Sequence, residues 1–160
     1  MTSVPRRLCV ISAAILFGLP AIVAAQTKPN FSGAWRAAIA KSDFGPMPAP
    51  QSSVSKITHE DPKLKISTTL VSDSGEMTFE MAFTTDGAES VNTMGSMEMR
   101  SKLRWEGAEL IIESKATSDR GEFKANERWS LSEDRKTLKI VRTWSGPMGE
   151  AKQTIIHDKQ

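Results

Sequence analysis

From Gly75 to Asp158 apolar and polar residues alternate with a period of two, broken at short intervals by turn-forming clusters. Met77, Phe79, Met81 and Phe83 fall on one face while Glu76, Thr78, Glu80 and Thr84 fall on the other. In the same way Met97, Met99, Leu103 and Trp105 oppose Glu98, Arg100, Lys102 and Arg104. This is the signature of strands with one buried face. The pattern predicts strands over residues 31–39, 54–59, 64–71, 76–84, 88–94, 97–105, 109–116, 122–131, 137–144 and 150–157. Between them stand Asp61-Pro62, Asp73-Ser74-Gly75, Asp86-Gly87, Gly95-Ser96, Glu106-Gly107, Asp119-Arg120-Gly121, Ser132 to Arg135 and Gly146-Pro147.

In the first strand Phe31, Gly33, Trp35, Ala37 and Ile39 share a face. Residues 41–53 carry three prolines and a glycine and are expected to form a long irregular loop. No segment sustains a helical period. Connections this short favour antiparallel neighbours, and closing the meander on itself removes exposed edges. The expected fold class is therefore all-β, a single antiparallel up-and-down barrel of eight to ten strands, with an open sandwich as the structural alternative.

The N-terminus follows a different pattern. Arg6-Arg7 precedes an almost unbroken apolar run from Leu8 to Leu19, and Val23-Ala24-Ala25 supplies the small residues of a cleavage site, so residues 1–25 are expected to be a signal peptide and residues 26–160 the barrel. The run contains Gly18 and is short for a membrane span, so the mature form is expected to have none. Export, to the periplasm or outside the cell, is the corresponding expectation. Removing this leader changes the charge reading: two of the 21 basic residues go with it and no acidic ones, leaving nineteen of each sign. A balanced surface gives no reason to expect nucleic acid as a partner. Cys9 also leaves, so the mature chain has no disulfide, thiolate metal ligand or cysteine nucleophile. The remaining chain is long enough for one core, and a monomer is expected.

Phe31-Ser32-Gly33-Ala34-Trp35 resembles the first-strand signature of the lipocalin and fatty-acid-binding-protein group of barrels, and the stretch from Leu103 to Leu110 resembles a mid-chain hairpin of that group. The whole chain resembles small exported bacterial proteins with a lipocalin-like domain. The resemblance implies a calycin-type barrel with Trp35 near its closed end and an apolar or amphipathic ligand inside. Two departures stand out. There is no tyrosine, so the Thr-Asp-x-x-Tyr element of many lipocalins is missing at Thr85-Asp86, and residues 41–53 lack the helical pair that caps fatty-acid-binding proteins.

Polar residues on apolar faces carry the candidate chemistry. Phe123, Ala125, Glu127, Trp129 and Leu131 form one inward series, and Leu138, Ile140, Arg142 and Trp144 another. Glu127 and Arg142 thus interrupt apolar faces on adjacent strands. An unpaired buried charge costs several kcal/mol, so the two should meet each other, lie outside through a register shift, or engage a ligand. The family resemblance implies the last role for Arg142, as anchor of a ligand carboxylate. Gln153, Trp129, Trp144, Met81 and Met99 complete the candidate ligand site. Ser101, Ser114 and Thr68 would add hydroxyls to the lumen or be small core residues.

Methionines cluster at Met77, Met81, Met94, Met97 and Met99; thioethers suit an adaptable apolar pocket, and also Cu(I), but no His or Cys is adjacent and no metal is expected. His59 reads as a solvated residue at a turn. His157 lies late in the last strand; haem, held by such a histidine in nitrobindin-like barrels, is not expected because that group's glycine-rich N-terminal pattern is absent. No cofactor is expected. Nucleophile, metalloprotease, phosphate-loop and dinucleotide motifs are all missing, leaving Glu127 or His157 as the base of an alternative, enzymatic reading. A ligand-free envelope protein with a filled core is the other alternative.

Overall fold

The computed structural model describes residues 28–118, 121–147 and 149–160. The expected signal peptide lies outside the described residues. Ten strands occur in chain order: β1 (Gly33–Ala37), β2 (Ser52–Glu60), β3 (Lys63–Ser72), β4 (Gly75–Thr84), β5 (Glu89–Met94), β6 (Met97–Glu106), β7 (Glu109–Ser118), β8 (Gly121–Leu131), β9 (Thr137–Gly146) and β10 (Gly149–Lys159). They form one antiparallel sheet in the order β4-β3-β2-β1-β10-β9-β8-β7-β6-β5. The first and last strands pair, Trp35 opposite Lys159 and Ala37 opposite His157. The result is a nearly closed barrel, and the expected turns at Asp61-Pro62, Asp86-Gly87, Gly95-Ser96 and Ser132 to Arg135 fall between strands, while residues 119 and 120 of another lie outside the described residues. Among the described residues no helix is long and apolar enough to cross a membrane.

One expectation about the N-terminal part needs correction. The first strand ends at Ala37, because the chain from Ile39 to Lys41 makes a single 3₁₀ turn. The loop that follows is irregular but anchored. Asp43 exchanges backbone hydrogen bonds with Thr154 at 2.7 and 2.8 Å, and Ser42 Oγ accepts from the Ile156 N–H at 3.0 Å, so this segment continues beside β10 where β1 has stopped. Gly45 is required there: its φ is +58°, and a Cβ would sit 2.5 Å from the Lys152 carbonyl oxygen.

Alternation along each strand fills the interior unevenly. One end, which carries the β2–β3, β4–β5, β6–β7 and β8–β9 turns, is packed solid. Phe31, Trp35, Leu64, Leu103 and Leu110 are fully buried there, with Trp129, Leu138 and Ile140 nearly so. Trp35 donates its indole N–H to the Phe31 carbonyl at 2.8 Å, which satisfies the one polar atom it buries. At the other end the inward residues Met77, Phe79, Met81, Met97, Met99, Phe123 and Trp144 are only partly buried, and Met77 is 55% exposed. The barrel therefore has a closed, filled half and an open half.

The strand order leaves β4 and β5 as the two sheet edges, and two side chains bridge this seam. Asn92 on β5 accepts the Ala82 N–H at 2.8 Å and donates its amide to the Ala82 carbonyl at 3.0 Å. Ser90 Oγ accepts the Thr84 N–H at 3.1 Å. The Asn92 carboxamide thus performs for β4 what a peptide group of a neighbouring strand would perform.

Candidate ligand-binding site

Strand registers convert the inward residues into rows that run around the wall. Leu103, Ile112, Glu127, Arg142 and Gln153 are consecutive cross-strand partners from β6 to β10. One step toward the closed end lie Trp105, Leu110, Trp129, Ile140 and Ile155; one step toward the open end lie Ser101, Ser114, Ala125, Trp144 and Ala151. Glu127 and Arg142 therefore sit at the boundary between the packed half and the open half.

At that boundary they pair. Arg142 Nε donates to Glu127 Oε1 at 2.8 Å, and Trp129 Nε1 donates to Glu127 Oε2 at 2.8 Å. Both carboxylate oxygens are thus held. The Glu127 side chain is 14% exposed and that of Arg142 37%. The Nη groups of Arg142 make no hydrogen bond or ion pair to a described residue. A guanidinium gripped through Nε alone, with its outer N–H groups unspent, retains a bidentate anion-binding edge.

The other candidate residues divide between two environments. Gln153 is buried and donates Nε2 to the Phe44 carbonyl at 3.0 Å, so it ties the long loop to the wall. Trp129 belongs to the packed core, edge-on to Phe31, and orients Glu127. Trp144 is partly buried in the open half, and Met81 and Met99 pack against the upper surface of the core. The hydroxyls on the inner wall satisfy one another: Ser101 with Ser114 at 2.8 Å, and Ser55 with Thr68 at 2.9 Å. They add small volume and no free polar demand to the lumen.

His157, in the row below Ile155, is 6% exposed. Burial is the main reason its pKa is pushed down to about 4, and the Arg142 charge acts in the same direction; a hydrogen bond with the Leu138 backbone and the carboxylates of Asp158 and Glu127 oppose it. Its Nδ1 is buried without a partner among the described residues. The ring is neutral at ordinary pH and adds no positive charge to the polar boundary.

His59 departs from expectation: it is no solvated turn residue but 3% exposed, because β2 continues through Glu60 and keeps His59 on the inner face with Ile57. Its ring packs against those of Phe31 at 5.7 Å and Trp105 at 5.9 Å, which also stack on each other at 5.9 Å. Nδ1 accepts the Phe31 backbone N–H at 3.3 Å, so the neutral ring carries its proton on Nε2, which faces Asp61 Oδ1 at 3.8 Å. Burial lowers the His59 pKa against the pull of Asp61. Asp61 in turn accepts from the Thr85 hydroxyl, from Trp105 Nε1 at 3.3 Å and from Lys28 Nζ at 3.0 Å, and these bonds, the Thr85 bond foremost, hold its carboxyl below the usual range. This plug seals the closed end. Periodicity showed Trp105 facing inward, but nothing in the sequence linked it to Asp61 across the barrel.

The geometry finds counterparts among known structures. Secretory abundant heat soluble protein 4 from Ramazzottius varieornatus superposes with a TM-score of 0.61 at 15% identity, over 85% of this chain and 99% of that one. The fold is that of the calycin barrels. A second secretory abundant heat soluble protein from the same organism gives 0.59 at 12% identity, again over 85% of this chain and 99% of that one. Zebrafish ileal bile acid-binding protein, solved in complex with cholic acid, gives 0.54 at 18% identity over 81% of this chain and 98% of that one. At these identities the likeness is one of fold. No family model and no curated protein sequence matches the chain.

Proposed function

We propose that this chain is an exported calycin barrel that binds a small amphipathic acid in its open half, the acid group on Arg142 and the apolar part among Met81, Met99, Phe123 and Trp144. The observation that carries this reading is the state of Arg142: held by Glu127 through Nε, partly exposed, at the boundary of an apolar open half, with its Nη edge free of described partners. An arginine needed only to neutralise Glu127 would place no demand on an open half lined by partly buried thioethers and aromatics. Methionines tolerate different ligand shapes because the side chain is flexible and polarisable. The zebrafish neighbour holds cholic acid, an amphipathic carboxylate, in a barrel of the same fold. Export follows from the leader read over residues 1–25.

The test is displacement of a dansyl-labelled fatty acid by oleic acid and by its methyl ester. The parent is expected to prefer the acid about tenfold, the order of one charge-assisted hydrogen bond, and Arg142→Met to lose that preference while still binding the ester. Absence of probe binding by the parent would leave the filled-barrel alternative standing. Equal affinity for acid and ester would remove Arg142 as the anchor.

A further inference from the structure

The outer wall of β6 to β10 carries a groove of about 980 Å³, lined by outward residues together with Ser114, Ala125, Trp144 and Ala151 of the inner row, which it shares with the lumen wall. Its cations are Arg100, Lys102, Lys115, Lys124 and Lys152; its carboxylates are Glu89, Glu113 and Glu150. Arg100 is the cross-strand partner of Lys115, and Lys115 is the partner of Lys124, so three like charges stand side by side on β6, β7 and β8. Directly opposed like charges destabilise a sheet.

Elsewhere on this wall the sequence avoids that penalty, as where Lys102 faces Glu113 and Glu89 faces Lys102. Arg100 is relieved by Glu89 at 2.8 Å and Glu98 at 2.7 Å, and Lys124 by Glu122 at 2.9 Å. Lys115, between them, has no ion pair with a described residue, and neither do Lys102 and Lys152. The local rule is broken at the centre of this groove, where Lys115 is held only by the longer-range charge of Glu122, the carboxylate that pairs with Lys124.

We infer that this groove is a second binding site, on the outer face of the wall, for an oligoanion carrying clustered phosphates. Cross-strand neighbours hold their side chains about 5 Å apart. Adjacent phosphates bring full charges within that distance, whereas carboxylates on one face of an extended peptide recur only about every 6.6 Å. Asn126 and Thr143 beside the lysines supply uncharged hydrogen-bonding groups to the same groove. An anion bound across Lys115 and Lys124 turns their repulsion into shared attraction, so binding stabilises the fold by linkage.

The experiment is calorimetric titration of the full chain with sodium tripolyphosphate, with thermal unfolding followed against sodium chloride at equal ionic strength. The parent is expected to give saturable heat and a midpoint raised above the chloride control. Lys115→Gln should match or exceed the parent's midpoint without the anion, since repulsion is relieved, yet bind tripolyphosphate about tenfold more weakly. Lys139→Gln, an outer-face change away from the groove, should bind like the parent. Co-sedimentation with phosphatidic acid vesicles, added to the tripolyphosphate heat, would assign a lipid headgroup as the source; heat without co-sedimentation would assign a free oligophosphate. A parent with no response beyond chloride overturns the inference, as does a Lys115→Gln variant that binds like the parent or a Lys139→Gln variant that loses as much.

Discussion

Arg142 and Glu127 meet at 2.8 Å on the inner face of the barrel, directly across the β8–β9 pair. Glu127 is the more deeply placed partner, and Trp129 holds its second oxygen. Removing the arginine leaves a mostly buried carboxylate with one neutral donor. Arg142→Met is therefore expected to lower stability by about 3 kcal/mol, and Arg142→Met with Glu127→Leu to recover most of the loss. Denaturant unfolding of the two variants and of Glu127→Leu completes the cycle; a double variant no more stable than Arg142→Met would mean that the pair does not act as a unit.

Asn92 bridges the seam by two hydrogen bonds to one residue, which makes it a sharper target than an ordinary strand asparagine. Asn92→Ala should cost about 1 to 3 kcal/mol and speed amide exchange at Ala82. Asn92→Asp still accepts from the Ala82 N–H but presents an acceptor to the Ala82 carbonyl, so it should lie below the parent as well. Unchanged exchange at Ala82 in both variants would show that β4 is held by its β3 pairing alone.

Stability should fall with acid through a defined window. His157 has a folded pKa of about 4 against an unfolded value near 6.5, so the unfolded chain binds the extra proton first. The sign is that of stability complete above about pH 6.5 and lost progressively down to about pH 4, by up to about 3 kcal/mol. His59, lowered in the same direction by burial, adds to the loss. His157→Phe should flatten this slope in a thermal unfolding series; an unaltered slope would move the effect to His59 or the carboxylates.

Trp35 is fully buried at the closed end with its indole N–H satisfied. Trp35→Ala is expected to cost about 3 to 5 kcal/mol, as for other large core aromatics. A denaturation midpoint close to the parent's would mean that β1 and its neighbours close the barrel without it.

The fold was legible because its strands are half-buried: alternation marked all ten, and Gly, Pro, Asp and Ser marked their turns. The pairing of Glu127 with Arg142 was legible for the same reason, since two adjacent strands with clear faces bring their polar exceptions together. Three features were hidden. His59 lay next to a turn signal, and only the extension of β2 through Glu60 shows that the chain has not yet reached solvent. Asn92 sits among polar residues on a short edge strand, where its role depends on a partner ten residues away across a gap with no ladder. The row of Arg100, Lys115 and Lys124 requires two exact registers, and each of its members alone reads as an ordinary solvated cation.

The most direct measurement is the mass of the intact protein purified from its own host, taken by native mass spectrometry with and without added oleic acid. A barrel that carries an amphipathic acid should show a bound species of one small ligand, lost on activation in the gas phase and replaced by oleate on mixing. A single peak at the mass of the bare chain, unchanged by excess oleate, would contradict the account and identify a barrel whose interior takes no ligand.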